Sequence, residues 1–88
     1  MKHKPIRWNE GKNIKLKEER GIGFETIVSL LEDDLIIDIT DNPNYPNQKY
    51  YFFDINDYII CVPFVETEEE IFLKTIFPSR KHNKIFKE

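Results

Sequence analysis

The chain has 88 residues, of which 40% are hydrophobic, 14% aromatic and 33% charged. This composition predicts a single globular domain, residues 1–88, and excludes a disordered or membrane-embedded chain. A domain of this size buries only about 60–65% of its unfolded surface, so a cavity of cofactor size is not expected and no cofactor is predicted.

The net charge of −3 is distributed unevenly along the chain. Residues 1–20 carry seven Lys or Arg and three acids, residues 21–70 carry one Lys and twelve acids, and residues 71–88 carry five Lys or Arg and one acid. Two basic ends therefore flank an acidic middle. The acidic middle argues against a domain that binds nucleic acid broadly and without specificity.

The first third of the chain predicts two helices. Asn9 is a typical N-cap for a polar helix that runs to about Arg20, and Gly21 ends it. A second helix begins after Gly23, because apolar residues then follow the i, i+3, i+4, i+7 spacing of one buried stripe: Phe24, Ile27, Val28 and Leu31.

After the helices the apolar period changes from 3.6 to 2, which predicts four strands. Their expected ranges are 35–40, 49–55, 58–65 and 70–77, with Asn56-Asp57 as a two-residue hairpin turn. Ser79 is a possible cap for a short C-terminal helix. The predicted fold class is α+β, with two N-terminal helices packed on a four-stranded antiparallel sheet. Pro63 lies inside the third strand, where it cannot donate to a ladder, so we expect a β-bulge there.

The sequence lacks the residues that most classes of catalytic site require. Cys61 is the only cysteine and lies in an apolar run, which predicts a buried, inert thiol rather than a nucleophile. His3 and His82 are isolated, so no metal site is expected. No glycine-rich phosphate loop and no signal peptide are evident, and the longest apolar stretch is too short for a membrane span, so we expect a cytoplasmic protein.

The remaining candidates are basic. Lys74 lies in the fourth predicted strand, and the period of two places it on the same face as Phe72 and Ile76. Arg80, Lys81 and further basic residues follow that strand, either as a solvated tail or as a phosphate-binding edge. Tyr50 and Phe52 share one face of the second predicted strand, and Tyr51 and Phe53 share the other. One of these apolar faces covers the helices, and the other needs the C-terminal segment, a partner protein or stacked bases.

Three segments in a fixed order resemble the BrnT family of bacterial toxins. They are Trp8-Asn9-Glu10-Gly11-Lys12-Asn13, Arg20-Gly21-Ile22-Gly23-Phe24-Glu25 and Ile76-Phe77-Pro78-Ser79-Arg80-Lys81, and with the strands between them the resemblance covers residues 6–82. The family pattern has His where this chain has Arg20, and Ser-Ala where it has Pro78-Ser79. A divergent active site, another antitoxin partner or an inactive relative would each explain these departures.

The resemblance implies a RelE-like fold and a ribonuclease toxin of a type II toxin-antitoxin system. It also implies a cognate antitoxin, commonly of the ribbon-helix-helix DNA-binding type, in a hetero-oligomer with the toxin. Arg80 and Lys81 match the Arg-Lys of the family's last strand, and Lys12 and Asn13 match the Lys-Asn of its first helix. Trp8 matches the family tryptophan, as a core residue or as a base-stacking one.

Cleavage of RNA by protein groups alone requires stabilisation of charge on the phosphorane and proton transfer at the two reacting oxygens. We expect Arg80, Lys81, Lys74 and Arg20 to form the catalytic set, and Lys12, Lys15 and Lys84 to bind RNA. Arg20 joins this set only if the end of the first helix packs near the end of the fourth strand. The alternative is an inactive, toxin-like module that serves as antitoxin partner and co-repressor, and a third interpretation is a housekeeping RNA-binding domain.

Overall fold

Two helices precede most of a six-stranded sheet in the computed structural model, which describes residues 4–79. The Arg80, Lys81 and Lys84 sites and the predicted C-terminal helix lie outside the described residues. The elements are β1 (Ile6–Arg7), α1 (Glu10–Arg20), α2 (Phe24–Glu32), β2 (Asp38–Asp41), β3 (Gln48–Ile55), β4 (Tyr58–Glu66), β5 (Ile71–Leu73) and β6 (Phe77–Pro78).

Local signals at its two ends define α1. The Asn9 side chain accepts a hydrogen bond from the backbone N–H of Lys12, as an N-cap does. Gly21 adopts a left-handed φ of 73° and donates its N–H to the Lys17 carbonyl, which ends the helix. The predicted bounds of this helix are confirmed.

One apolar stripe attaches α2 to the sheet. Phe24, Ile27 and Leu31 are buried in the main core cluster together with Leu16 of α1. On the sheet side, the same cluster contains residues from β3, β4 and β5 together with Ile76: Tyr51, Phe53, Ile60, Val62, Phe64, Ile71, Leu73 and Ile76. Both helices therefore cover the same face of the sheet.

The predicted four-stranded antiparallel sheet is wrong. The observed sheet is mixed and six-stranded, with the order β1-β5-β4-β3-β2 and with β6 also paired to β4. The first strand, β1, was not predicted, and it runs parallel to β5, with Ile6 opposite Ile71. A strand of two residues has no periodicity that a sequence can reveal, because its only support is a partner far away in the chain.

The predicted fourth strand is divided into β5 and β6. Phe64 pairs with Leu73 and Cys61 pairs with Phe77, so the three residues 74–76 face the two residues 62–63 of β4. The extra residue reverses the alternation of faces, as a β-bulge does. The ladder between β3 and β4 is regular, so β4 has no bulge at Pro63 and that prediction is wrong. The extra residue lies instead in the neighbouring segment, residues 74–76, opposite Pro63.

The interruption at 74–76 also explains why β4 tolerates Pro63. The Pro63 carbonyl accepts a hydrogen bond from the Lys74 backbone N–H at 2.8 Å. The nitrogen and carbonyl of one strand residue face the same neighbour, so the proline nitrogen faces this interrupted segment. The missing donor therefore falls where no regular ladder exists.

The predicted hairpin turn between β3 and β4 is confirmed. Ile55 pairs with Tyr58, and the residues between them, Asn56 and Asp57, have φ values of 54° and 66°. Two successive positive φ values match the twist of a two-residue hairpin, and Asn and Asp tolerate them better than most residues.

Candidate functional site

A cleft of about 230 Å³ lies between the end of α1 and the sheet. Its walls come from the α1 end and the link to α2, from the start of β4, and from the segment that contains β6. The residues that line it are Glu19, Arg20, Ile22, Tyr58, Ile60, Ile76, Phe77 and Pro78. The C-terminus of α1 thus lies beside β6, the last strand that the structure describes. We expected Arg20 to join the catalytic set only if these two parts of the chain packed close together.

The charged part of the cleft consists of Glu19 and Arg20, which are both exposed. The ion pairs among residues 4–79 join Lys4 to Glu66, Arg7 to Glu70 and Lys17 to Glu25, and none of them involves Arg20. Within this part of the chain the guanidinium group is therefore available to an anion. Its planar set of donors matches two oxygens of a phosphate.

The apolar part of the cleft has a buried floor. Ile60 and Ile76 are 4% and 1% exposed, whereas the Tyr58 residue is 46% exposed. Side chains alternate along β4, so Tyr58 shares the helix-side face of the sheet with Ile60. Phe77 is opposite Cys61 in the ladder and so belongs to the other face, although it also borders the cleft.

Lys12 and Lys15, predicted to bind RNA, are exposed on α1. They precede Glu19 by seven and four residues, a spacing that places all three on one side of a helix. Since Glu19 lines the cleft, this side of α1 leads from the two lysines to the cleft. Lys12, Lys15 and Arg20 therefore belong to one surface.

Lys74, predicted to be catalytic, lies on the opposite face of the sheet. Its ammonium group is 5.6 Å from the centre of the Phe72 ring, in a cation–π arrangement. The neighbouring Leu73 is fully buried in the main core on the helix side. Lys74 thus shares a face with Phe72, as expected, but not with Ile76, because the extra residue in 74–76 reverses the alternation between them.

The face of the sheet away from the helices does not offer Phe52 to a base. Phe52, Ile59 and Cys61 form a second buried cluster, and Phe52 is only 5% exposed. Burial raises the pKa of the Cys61 thiol to about 12. The prediction of a buried thiol is confirmed, and at neutral pH the sulfur is protonated and a poor nucleophile.

Several residues that carry the family resemblance have structural contacts. Trp8 stacks on Phe24 with ring centres 5.7 Å apart and packs against the main core. Asn13 is fully buried and binds the first turn of α2. Of the two roles considered for Trp8, packing against the core is the one observed, and the residue is partly buried.

Two residues of the cleft were missed by the sequence analysis. Glu19 is one of three acids in α1, and no spacing rule distinguishes it from Glu10 and Glu18. Tyr58 begins an apolar strand and reads as part of the core. Only the packing of α1 against the start of β4 shows that both residues share a cleft.

No group of three or more His, Cys, Asp or Glu side chains suited to a metal ion occurs within residues 4–79. In the same range, no helix combines the length and the apolar character needed to cross a membrane. No family model, curated protein or solved structure matches the chain.

Proposed function

We propose that the protein is the toxin of a type II toxin-antitoxin system, acting in the cytoplasm as an endoribonuclease that uses protein groups alone. The observation that supports this best is the position of Arg20 and Glu19 beside Pro78 in one cleft. Pro78 stands only two residues before Arg80 in the sequence, which is why Arg80 and Lys81 are included in the proposal.

The charged residues of this surface have the chemistry that RNA cleavage requires. In the proposed reaction the ribose 2′-oxygen attacks the adjacent phosphorus, its proton passes to the Glu19 carboxylate, and the bond from phosphorus to the 5′-oxygen breaks. Arg20 and Arg80 stabilise the negative charge that develops on the phosphorane oxygens. Lys81 gives a proton to the departing 5′-oxygen.

RNA binding outside the cleft is assigned to Lys12, Lys15 and Lys84. The first two lie on the side of α1 that leads to Glu19, so a strand held there by its phosphates reaches the reacting groups. Contacts of this kind add affinity without sequence preference and weaken as salt rises. Lys74 is not part of the proposed reaction, since it lies across the sheet from Arg20.

Purified variants test the reaction directly on single-stranded RNA. Arg20→Ala and Arg80→Ala should each lower the cleavage rate by about 100- to 1,000-fold, because each removes charge stabilisation. Glu19→Gln should lower it by a similar factor, since general-base catalysis contributes about 100- to 10,000-fold.

The chain offers a matched control for each of these variants. Arg7→Ala removes an arginine that pairs with Glu70, and Glu18→Gln changes an exposed carboxylate next to Glu19. Both controls should cleave at the wild-type rate. Equal rates for Arg20→Ala, Arg80→Ala and wild type would contradict the proposed active site.

The antitoxin is proposed to bind where α2 leads into the edge strand β2. Leu35, Ile37 and Ile39 are each about half exposed there, although all three are large aliphatic residues. Exposed apolar residues grouped in this way often mark an interaction surface. The exposed acids Asp33, Asp34 and Asp41 flank them, so the fitting partner is a protein segment with both basic and apolar side chains.

The same edge favours the alternative function, an inactive toxin-like module that acts as antitoxin partner and co-repressor. The two functions differ in what expression of the protein does to cells. Growth arrest that Arg80→Ala relieves, with the variant still folded, supports the ribonuclease. Absence of arrest and of RNA cleavage, together with tight binding to the product of the neighbouring gene, supports the module.

A further inference from the structure

We infer that the cleft beside Arg20 is a binding pocket for a single unpaired nucleobase, with the Tyr58 ring as its stacking surface. This inference rests on the proposed action on RNA and adds to it the part of the substrate that the pocket holds. It assigns to Tyr58 a role in substrate selection.

The size and lining of the cleft match a flat ring rather than a whole nucleotide chain. Its volume of about 230 Å³ is below the range of roughly 300–1,000 Å³ that is usual for pockets of drug-sized ligands. Six of its eight lining residues are apolar or aromatic, and the floor is formed by the buried side chains of Ile60 and Ile76. A nucleobase is flat and small enough to enter such a space with its edges directed outward.

The exposed face of the cleft adds the remaining features of a base pocket. Tyr58 is a half-exposed aromatic residue at the first position of β4, where pairing with Ile55 across the hairpin holds its backbone. Ile22 and Pro78 provide further apolar surface around the same space. Proteins that read single-stranded RNA stack unpaired bases on aromatic side chains in this way.

The charged residues at the border of the cleft indicate which flat ligand fits. Arg20 lies at the border of the same cleft and has no ion pair with any residue from 4 to 79, so an anionic group attached to the ring has a cation to bind. Glu19, on the same border, repels a phosphate and is suited to accept a hydrogen bond from a ribose hydroxyl. A ring, a hydroxyl and a phosphate together describe a nucleotide within RNA.

The pocket also predicts that paired RNA is a poor ligand for this surface. A base within a duplex is stacked and paired, and its extrusion costs a few kcal/mol. An unpaired base enters without that cost. The inference therefore commits to single-stranded RNA as the ligand and to one base next to the cleaved bond as the contact.

The test uses a short single-stranded RNA with a fluorescent 2-aminopurine and 2′-O-methyl groups at every ribose. The methyl groups prevent cleavage and remove the hydroxyl that faces Glu19, so the probe reports the base and phosphate contacts alone. The 2-aminopurine is placed at a different position in each probe of a series. Wild-type protein should change the fluorescence when the 2-aminopurine stands at one of these positions. Tyr58→Ala should abolish this change and raise the Kd by about 5- to 150-fold, the range found when a stacked aromatic residue is replaced by alanine.

Two further variants separate stacking from other roles of the side chain. Tyr58→Phe keeps the ring and should bind the probe within about threefold of wild type. Tyr45→Ala removes another exposed tyrosine, in the loop between β2 and β3, and should leave both Kd and fluorescence unchanged. Far-UV circular dichroism and the urea midpoint verify that each variant is folded.

The outcomes distinguish this inference from the proposed function. Unchanged binding and fluorescence in Tyr58→Ala overturn the base pocket, even if wild-type protein cleaves RNA. Tyr58→Phe as weak as Tyr58→Ala overturns stacking, and equal affinity for the duplex form of the probe overturns the preference for an unpaired base. Binding that depends on the Tyr58 ring, in a protein that cleaves no RNA, supports the pocket and contradicts the ribonuclease.

Discussion

Asn13 of α1 caps α2: its side-chain oxygen accepts a hydrogen bond of 2.7 Å from the backbone N–H of Phe24. The N-cap of α2 is Gly23, which has no side chain to satisfy the first N–H groups of the helix. The Asn13 amide also donates to Glu25, which in addition accepts from Lys17. One buried asparagine thus joins the two helices that cover the sheet.

The first prediction concerns this cap. Asn13→Ala leaves the buried Phe24 N–H without a partner, and an unsatisfied buried donor costs about 1–3 kcal/mol. We expect the free energy of unfolding, measured by urea titration, to fall by that amount. Asn47→Ala, at an exposed loop position, should change it by less than about 0.5 kcal/mol. Equal midpoints for the two variants would show that Asn13 does not cap α2.

The second prediction concerns Gly23, the residue that approaches the cap. A Cβ atom there would lie 2.5 Å from Cε of Lys17, 2.6 Å from Oε1 of Glu25 and 2.8 Å from Oδ1 of Asn13. Lys17 and Glu25 are exposed and can move, whereas Asn13 is held by its hydrogen bonds. Gly23→Ala should therefore destabilise the protein by about 1–3 kcal/mol in urea titration.

A double variant identifies the cause of that loss. Adding Asn13→Ala to Gly23→Ala removes the close contact that cannot move, so the two changes should cost less together than the sum of their separate costs. Strictly additive costs would show that the crowding at Gly23 is not responsible.

The third prediction concerns the reversal of faces in residues 74–76. Ile76 is 1% exposed and belongs to the main core, so Ile76→Ala should cost about 2–5 kcal/mol in thermal or urea unfolding. The next residue, Phe77, is 36% exposed, and Phe77→Ala should cost less than half as much. The reverse ranking would indicate that the strand continues without the extra residue.

The fourth prediction concerns Cys61. Because burial raises the pKa of its thiol to about 12, the folded protein should react with a thiol reagent at pH 7–8 far more slowly than the urea-unfolded protein. The measurement is the rate of absorbance change with an aromatic disulfide reagent. A rate in native buffer equal to that in urea would contradict the buried position.

The same shift predicts the direction of the pH dependence at alkaline pH. The unfolded thiol loses its proton near pH 9.0, whereas the folded one keeps it to about pH 12, so the folded state binds more protons between these values. Burial, and secondly the charge of Glu66, raise the pKa of Tyr51 from 10.0 to about 12 with the same consequence. Stability contributed by both groups is complete below pH 9 and declines as pH rises above it.

The prediction from sequence succeeds where a structure depends on neighbouring residues. The Asn9 cap, the left-handed Gly21 and the Asn56-Asp57 turn each involve residues only a few positions apart, and all three are observed. The stripe of α2 is equally local, because its spacing follows from 3.6 residues per turn. In the candidate site, this local information was sufficient to identify Lys12, Lys15 and Arg20 as surface cations.

The sequence by itself determines the basic ends and the acidic middle of the chain. Only the tertiary structure decides which residues that are far apart in the chain lie side by side. The pairing of Ile6 with Ile71 depends on a partner that no local signal specifies, since a two-residue strand is stable only beside its neighbour. The extra residue in 74–76 follows from the two different registers in which β5 and β6 pair with β4. Long-range packing likewise places Tyr58 beside Glu19 and Arg20, and with that placement an exposed cation becomes part of a cleft.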